Sequence, residues 1–133
     1  VDYVGVSNIF TFMKSIPPYW KPYLSIIKEI WYDEDIAAEK KIMEEVSPVY
    51  QIGKIKKPLF VVQGANDPRV NIDESDQIVL SLRAKGYDVP YMVRYDEGHG
   101  FAKEENSVAM YRAMMGFYAK HLGQPAVNLP LKK

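Results

Sequence analysis

Short apolar segments alternate with helix-like segments along this chain. The apolar segments are rich in β-branched and aromatic side chains, which is typical of strands, and they cover residues 1–7, 58–63 and 89–95. Residues 73–85 are predicted to be a helix that follows an N-cap at Asp73 or Asn71 and stops at Gly86. A strand, a helix and a second strand in succession predict a βαβ unit with parallel strands. The expected fold class is therefore α/β.

A long final helix is predicted over residues 104–122. Its apolar side chains recur at spacings of three and four and form one stripe, made of Val108, Tyr111, Met115, Tyr118 and Leu122. Such a stripe is far more often a packing surface than a groove for a cofactor or a partner. We therefore assign the stripe to the core, together with Met110, Met114 and Met115.

The first half of the chain gives weaker signals. Residues 10–23 contain three prolines, which forbid a continuous helix and predict an irregular connection. Residues 24–32 and 33–46 each have a helical pattern. Asp33 and Asp35 lie near the start of the second of these segments, where acidic groups favour the helix dipole.

The composition is that of an ordinary globular domain and excludes several function classes. The 133 residues fit one domain, and a content of 47% hydrophobic and 13% aromatic residues excludes disorder. Seventeen basic and seventeen acidic side chains cancel, so no nucleic-acid partner is expected. No apolar run is long enough to span a membrane, and no signal peptide is visible. The absence of cysteine excludes a thiolate nucleophile and fits a cytoplasm and a periplasm equally.

An acid and an imidazole follow the last two predicted strands. Asp67 and His99 each lie four residues beyond the end of their strand. Because parallel strands place their carboxyl ends on the same edge of a sheet, we expect these two side chains to meet there. An aspartate that binds one nitrogen of a histidine leaves the other nitrogen free to act as a base. Gly98 and Gly100 flank the histidine and allow its loop to turn sharply.

Other interpretations of these residues are possible. His99 could lie in a surface turn while Asp67 caps a loop. A metal ion could be held by Asp67, Asp96, Glu97 and His99, but no HxH or HExxH spacing supports such a site, and neither a metal nor a cofactor is expected. His121 lies in the last turn of the final predicted helix, where it favours the dipole, and is assigned a structural role.

Several strings and their spacing carry a resemblance to a known family. KPLFVVQGANDPRV and YDEGHGF place Asp67 and His99 32 residues apart, and VDYVGVSNIFTFM, PPYW and SPVYQIGKIKKP extend the pattern. The chain up to Gly123 resembles the C-terminal part of the catalytic domain of prolyl oligopeptidase-family serine peptidases, especially their acylaminoacyl-peptidase and dipeptidyl-aminopeptidase branches. The resemblance implies the C-terminal portion of an α/β-hydrolase fold, with parallel strands between two layers of helices. Residues 1–123 are then part of a peptidase domain, and residues 124–133 are a C-terminal tail.

The resemblance also implies roles for single residues. Asp67 matches the acid that orients the imidazole, and His99 matches the general base of a Ser-Asp-His triad. Arg69 matches a position whose side chain commonly holds a substrate carbonyl, and the alternative for it is a surface salt bridge. Val6 and Phe12 resemble positions that line the pocket for the residue before the cut bond, and the alternative for both is core packing. The implied substrate is an oligopeptide.

The nucleophile is missing from this pattern. The chain has no G-x-S-x-G motif, and the nearest string, GVSNI around Ser7, lacks the second glycine, so Ser7 is assigned a structural role. The resemblance implies that the serine lies upstream of Val1, and this chain alone is then expected to be inactive. An open sheet edge is also expected, covered by another copy of the chain or by the missing N-terminal part.

Three functions fit these residues, and a serine peptidase comes first. An esterase or another acyl hydrolase of the same fold comes second, because a fold does not fix a substrate. A non-catalytic interaction module that keeps the remnant of a site comes third. Substrate preference and the choice between exo- and endopeptidase action depend on residues outside this chain.

Overall fold

Three parallel strands organise the fold. The computed structural model describes residues 1–123, and the predicted tail over residues 124–133 lies outside them. Strands β1 (Asp2–Tyr3), β2 (Val61–Gly64) and β3 (Tyr91–Arg94) lie side by side in that order, and both pairs are parallel. The α/β class predicted from the sequence is therefore confirmed. The helices are α1 (Ile9–Lys14), α2 (Leu24–Trp31), α3 (Ala37–Val46), α4 (Ile72–Arg83) and α5 (Glu104–Leu122), with 3-10 helices at Pro18–Tyr23 and Pro48–Lys54.

The central strand β2 is covered on both faces, as its unbroken apolar sequence predicts. Val61 packs in a buried cluster with Ile78 and Leu82 of α4. The next residue, Val62, packs with Met110 of α5 in a separate cluster. Successive side chains of a strand point to opposite faces, so these neighbours join two different cores. The sheet therefore lies between two layers of helices.

Strand β1 is shorter than the strand predicted over residues 1–7. The last bond of its ladder is donated by the Val4 N–H to the Val62 carbonyl at 3.0 Å. Val4 itself has a φ of 53°, a left-handed conformation that non-glycine residues rarely adopt. This turn takes the chain out of the sheet, so the predicted strand over residues 1–7 is wrong beyond its first residues.

The proline-rich stretch holds more helix than the sequence predicts. The irregular connection expected over residues 10–23 instead contains most of α1 and the 3-10 helix at Pro18–Tyr23. Helix α1 forms because Asn8 caps it, with a side-chain oxygen that accepts from the Phe10 N–H at 3.0 Å. All three prolines lie beyond α1, and Pro18 occupies a first helical position, where its missing N–H costs little.

The predicted helix start agrees with the structure for α4 but not for α3. Helix α3 begins at Ala37, so the helix predicted over residues 33–46 is wrong in its first turn; Asp33 and Asp35 precede the helix and accept from the Lys28 ammonium at 2.8 and 3.1 Å. Helix α4 begins as expected, with Asn71 rather than Asp73 as its N-cap.

The assignment of the predicted α5 stripe to the core is largely wrong. Tyr111, Tyr118 and Leu122 are 57%, 41% and 67% exposed. The face against the sheet carries the buried Met110 and, packed around it, Ala113, Met114 and Phe117. Both sets recur at spacings of three and four, so periodicity alone permits either face, and contact with the sheet selects one. The assignment of Met110 and Met114 to the core is correct. No helix within residues 1–123 is long and apolar enough to cross a membrane.

Strand β1 is an edge strand in the part of the chain that the structure describes. It pairs with β2 on one side, and residues 1–123 provide no strand for its other side. The open edge expected from the sequence is therefore present within these residues. Unpaired N–H and C=O groups along such an edge favour pairing with a further strand.

Candidate active site

Two loops run side by side at the carboxyl end of the sheet. Strands β2 and β3 end in register, and the ladder continues into the loops, where the Asn66 N–H donates to the Glu97 carbonyl at 2.9 Å. Asp67 follows β2 and His99 follows β3. The distance between the His99 Nδ1 and the Asp67 Oδ2 is 2.8 Å. The structure thus brings together the acid and the imidazole that the sequence places after these two strands.

The Asp67 carboxylate is held in one orientation. Its Oδ1 accepts from the backbone N–H groups of Arg69 and Val70 at 2.8 and 2.9 Å. Its side chain is 0% exposed, and Oδ2 faces His99. Backbone donors within the same tight loop cannot turn away as side chains can, so the plane of the carboxylate is fixed. One oxygen is therefore directed permanently at the imidazole.

The geometry determines which nitrogen of His99 is available. A carboxylate oxygen only accepts, so the Nδ1 beside Asp67 carries the ring proton and Nε2 keeps its lone pair in the neutral ring. The His99 side chain is 31% exposed, and Nε2 has no hydrogen-bond partner within residues 1–123. A nitrogen with a free lone pair on a partly exposed ring is suited to take a proton from a hydroxyl group.

Gly64 allows the two loops to approach this closely. A Cβ on Gly64 would lie 2.2 Å from the Gly98 carbonyl oxygen and 2.7 Å from the Glu97 carbonyl oxygen. Both are backbone atoms of the loop that carries His99. Of the two glycines that flank His99, Gly100 adopts a φ of 94°, which favours glycine, whereas Gly98 does not have a positive φ.

Replacing Gly64 with alanine is expected to move the His99 loop away from Asp67 and to destabilise the fold. The methyl group must displace the Gly98 backbone by about 1 Å to reach normal contact distance. Overpacking of this kind typically costs about 1–3 kcal/mol in the free energy of unfolding. Gly116→Ala within α5 is the matched control, because nothing lies within 4 Å of its Cβ position. That control is expected to raise stability by about 0.5–1 kcal/mol. Denaturant unfolding measures both variants, and a Gly64→Ala protein as stable as wild type would contradict the prediction.

Glu97 connects the His99 loop to the start of α5. Its buried carboxylate accepts from the Asn106 amide at 2.8 Å and from the N–H groups of Ala102 and Lys103 at 2.9 and 3.0 Å. The Asn106 bond, followed by the two backbone bonds, holds the pKa of Glu97 below its usual value of 4.5. The sequence patterns point to Glu97 only as a candidate metal ligand. Its place two residues before His99 was the signal for this anchoring role.

Gln63 supports the Asp67 loop and was not a sequence candidate. It is 0% exposed at the end of β2. Its amide nitrogen donates to the Val70 carbonyl at 3.1 Å and to the Asp67 Oδ2 at 3.4 Å, and its amide oxygen accepts from the Ser75 hydroxyl at 3.0 Å. A polar amide at the end of an unbroken apolar strand was the available signal, because a buried glutamine requires partners.

The other predicted site residues lie partly at the rim and partly in the core. Arg69 is exposed, and no ion pair within residues 1–123 involves it. Val6 is half-buried and lines an apolar cavity of about 360 Å³. Phe12 is 1% exposed and packs edge-on against Trp20, within the core cluster that also contains Val70. A direct contact of Phe12 with a substrate stays a prediction.

The acidic residues just before His99 accept hydrogen bonds from other side chains of the same chain. Asp96 accepts from the Lys103 ammonium at 2.6 Å, and this bond lowers the pKa of Asp96. Within residues 1–123, no group of three or more histidine, aspartate or glutamate side chains is placed to hold a metal ion.

A sheet of parallel strands between helices, with a buried acid and a histidine after its last two strands, is the arrangement found in the C-terminal part of an α/β-hydrolase fold. The model of the prolyl oligopeptidase family matches residues 3–125. The chain belongs to this family, and the resemblance seen in its motifs is confirmed.

Relatives and solved structures agree with this assignment. Dipeptidyl aminopeptidase BIII of Pseudoxanthomonas mexicana is 46% identical over 92% of this chain and 18% of its own length. Dipeptidyl peptidase family member 6 of Caenorhabditis elegans is 37% identical over 92% of this chain and 17% of its own length. A puromycin-hydrolyzing peptidase of Mycobacterium tuberculosis has a TM-score of 0.82 and 27% identity, over 96% of this chain and 19% of that chain. The chain thus spans less than a fifth of the length of these proteins.

Proposed function

We propose that this chain supplies the acid and the base of a serine peptidase active site. In this role Asp67 orients His99, and His99 is the general base for a serine on a segment of the protein outside these 133 residues. The 2.8 Å contact between His99 Nδ1 and the buried Asp67 Oδ2 supports the proposal most directly. Residues 1–123 are then part of the catalytic domain, and the open edge of β1 pairs with the rest of that domain rather than with a second copy of the chain.

The proposed chemistry uses both nitrogens of His99. Nε2 takes the proton of the serine hydroxyl as the serine oxygen attacks a peptide carbonyl, and returns it to the departing amine when the acyl-enzyme forms. A water molecule then attacks the acyl-enzyme by the same proton transfer. Asp67 keeps the proton of the neutral ring on Nδ1 and stabilises the imidazolium that forms in each step.

Oligopeptides are the proposed substrates. The relatives named above are a dipeptidyl aminopeptidase and a dipeptidyl peptidase, and their names point to peptide bonds. Arg69 is exposed two residues after the acid, and its planar guanidinium donors suit a peptide carbonyl. Val6 lines an open apolar hollow, and an apolar side chain at this position fits a role in holding the residue before the cut bond; Phe12 supports the same segment from the core.

A fluorophosphonate probe tests where the nucleophile lies. We expect the full-length protein to form a stoichiometric adduct, detected by intact mass. This chain alone is expected to form none, since it has no G-x-S-x-G motif. An adduct on Ser7 or on another serine of this chain would place the nucleophile here and contradict the proposal.

The substrate class is tested with the same full-length protein. We expect it to cleave aminoacyl anilides, in which an amide bond must break. Turnover of simple aryl esters without cleavage of any anilide would assign an esterase instead. No turnover of either class, with no probe adduct on the full-length protein, would favour a non-catalytic interaction module.

A further inference from the structure

We propose that Glu74 is a positioning residue whose buried carboxylate attaches the segment carrying Val6 to α4, the helix that follows the Asp67 loop. The role rests on the proposed function, because its consequence is the geometry of the substrate site. Glu74 touches neither Asp67 nor His99 through any hydrogen bond within residues 1–123.

The Glu74 carboxylate accepts hydrogen bonds from one short segment, residues 7–11. It lies in the first turn of α4 and is 1% exposed. Its Oε2 accepts from the N–H groups of Ser7 and Asn8 at 3.0 and 2.8 Å, and its Oε1 accepts from the Thr11 hydroxyl. The Ser7 hydroxyl donates to the backbone carbonyl of Glu74 at 2.6 Å. Ser7 therefore has the structural surroundings that the sequence assigned to it.

No basic side chain within the described part of the chain forms an ion pair with this carboxylate. None of the ion pairs within residues 1–123 involves Glu74. Burial of a carboxylate without a counter-ion is costly unless its oxygens are well hydrogen-bonded. Here the compensation comes from residues 7–11, which are 67 to 63 positions away in the sequence. The free-energy cost of burying this carboxylate is therefore compensated only when this segment lies against α4.

The segment and the helix each adjoin one part of the proposed substrate site. Val6 directly precedes Ser7, while Asp67 and Arg69 lie in the loop that leads into α4. The β1–β2 ladder ends at Val4, so the sheet itself no longer fixes the chain beyond that point. The Glu74 contacts, together with the hydrogen bonds between Gln77 of α4 and the Asn8 and Thr11 side chains at 3.3 and 3.0 Å, then set the position of Val6 relative to Arg69.

The segment has further attachments that keep it folded without Glu74. The Ser7 carbonyl accepts from the Val49 N–H at 3.0 Å, and the Ile9 N–H donates to the Ser47 hydroxyl at 3.0 Å. These bonds join the segment to the chain around the end of α3, not to α4. Loss of the Glu74 carboxylate should therefore shift the segment rather than unfold the domain.

Two substitutions separate the hydrogen bonds of Glu74 from its charge. Glu74→Ala removes all the side-chain acceptors. Glu74→Gln retains them, because its amide oxygen can accept from the Ser7 and Asn8 N–H groups while its amide nitrogen donates to the Thr11 hydroxyl oxygen. Asp73→Ala is the matched control, since Asp73 is the neighbouring carboxylate and is exposed.

We expect Glu74→Ala in the full-length protein to lower kcat/KM on aminoacyl anilides by about 10- to 100-fold, mainly through KM. The pH profile of kcat/KM should keep its shape, because Asp67 and His99 are held by β2, β3 and their own bonds. Glu74→Gln should recover most of the loss, and Asp73→Ala should show none. If Glu74→Ala does not fold, Thr11→Val removes one donor to Glu74, together with the Gln77 bond to the same hydroxyl, and should raise KM by a smaller factor with kcat unchanged.

Each contrary result overturns a defined part of this role. An unchanged KM in Glu74→Ala, or in Thr11→Val where that variant is used, would show that the attachment does not position the substrate site. An equal loss in Glu74→Gln would show that the charge is required instead of the hydrogen bonds. A shifted pH profile would place Glu74 in the base machinery. Full activity of a His99→Ala protein would instead overturn the proposed function itself, so the two failures are distinguishable.

Discussion

Replacing His99 with alanine should lower kcat of the full-length protein on aminoacyl anilides by roughly 10⁴- to 10⁶-fold. In the proposed mechanism, the imidazole is the group that takes the serine proton and returns it to the leaving amine. KM should change little, because the proposed role of the ring is proton transfer and not substrate binding. Steady-state kinetics on purified protein measure both constants, and a melting curve checks that the buried Asp67 tolerates the loss of its partner.

The chain offers a matched control for this substitution. Its other histidine, His121, lies in the last turn of α5 with its ring 4.5 Å from that of Phe117, measured between centroids. His121→Ala removes an exposed imidazole far along the chain from both loops and should leave kcat unchanged. Activity that survives His99→Ala would show that His99 is not the base, whereas an equal loss in both variants would point to a general effect on folding.

The sheet and the rim of the site could be predicted because they depend on local signals. The apolar run before Gly64 and the strand before Tyr95 are each bounded by turn residues, and the helix between them fixes their parallel direction. Parallel direction alone places Asp67 and His99 on one edge. The length of β1 could not be predicted in this way, because its end depends on the left-handed backbone at Val4.

The surroundings of the site could not be predicted, because they depend on contacts between distant segments. The Ser7 and Asn8 amides meet Glu74 across 67 and 66 residues, and no local pattern relates these positions. The prediction of which face of α5 is buried failed for a similar reason. Tyr111 and Met110 are neighbours on a helix whose apolar side chains extend over more than one face, and only the sheet decides which of them is buried.

Replacing Asp67 with asparagine isolates the effect of the carboxylate, because the structure dictates how the amide must lie. Oδ1 accepts from two backbone N–H groups, so the amide oxygen is expected to take that position. The amide nitrogen then stands where Oδ2 stood and donates to the His99 Nδ1. The ring proton must move to Nε2, and a ring protonated there cannot act as the base.

We therefore expect Asp67→Asn to lower kcat about 10⁴-fold while the fold and KM change little. Asp88→Asn is the control, since Asp88 is an exposed carboxylate just before β3, at the opposite end of the strand from His99. Nitrogen-15 NMR of the His99 ring measures the cause separately from the rate, with the proton on Nδ1 in wild type and on Nε2 in the variant. A variant that keeps the Nδ1 proton, or that retains a kcat within about tenfold of wild type, would contradict an orienting role for Asp67. Because tautomer and turnover are read independently, their joint change ties the loss of activity to the orientation of the imidazole rather than to a weakened fold.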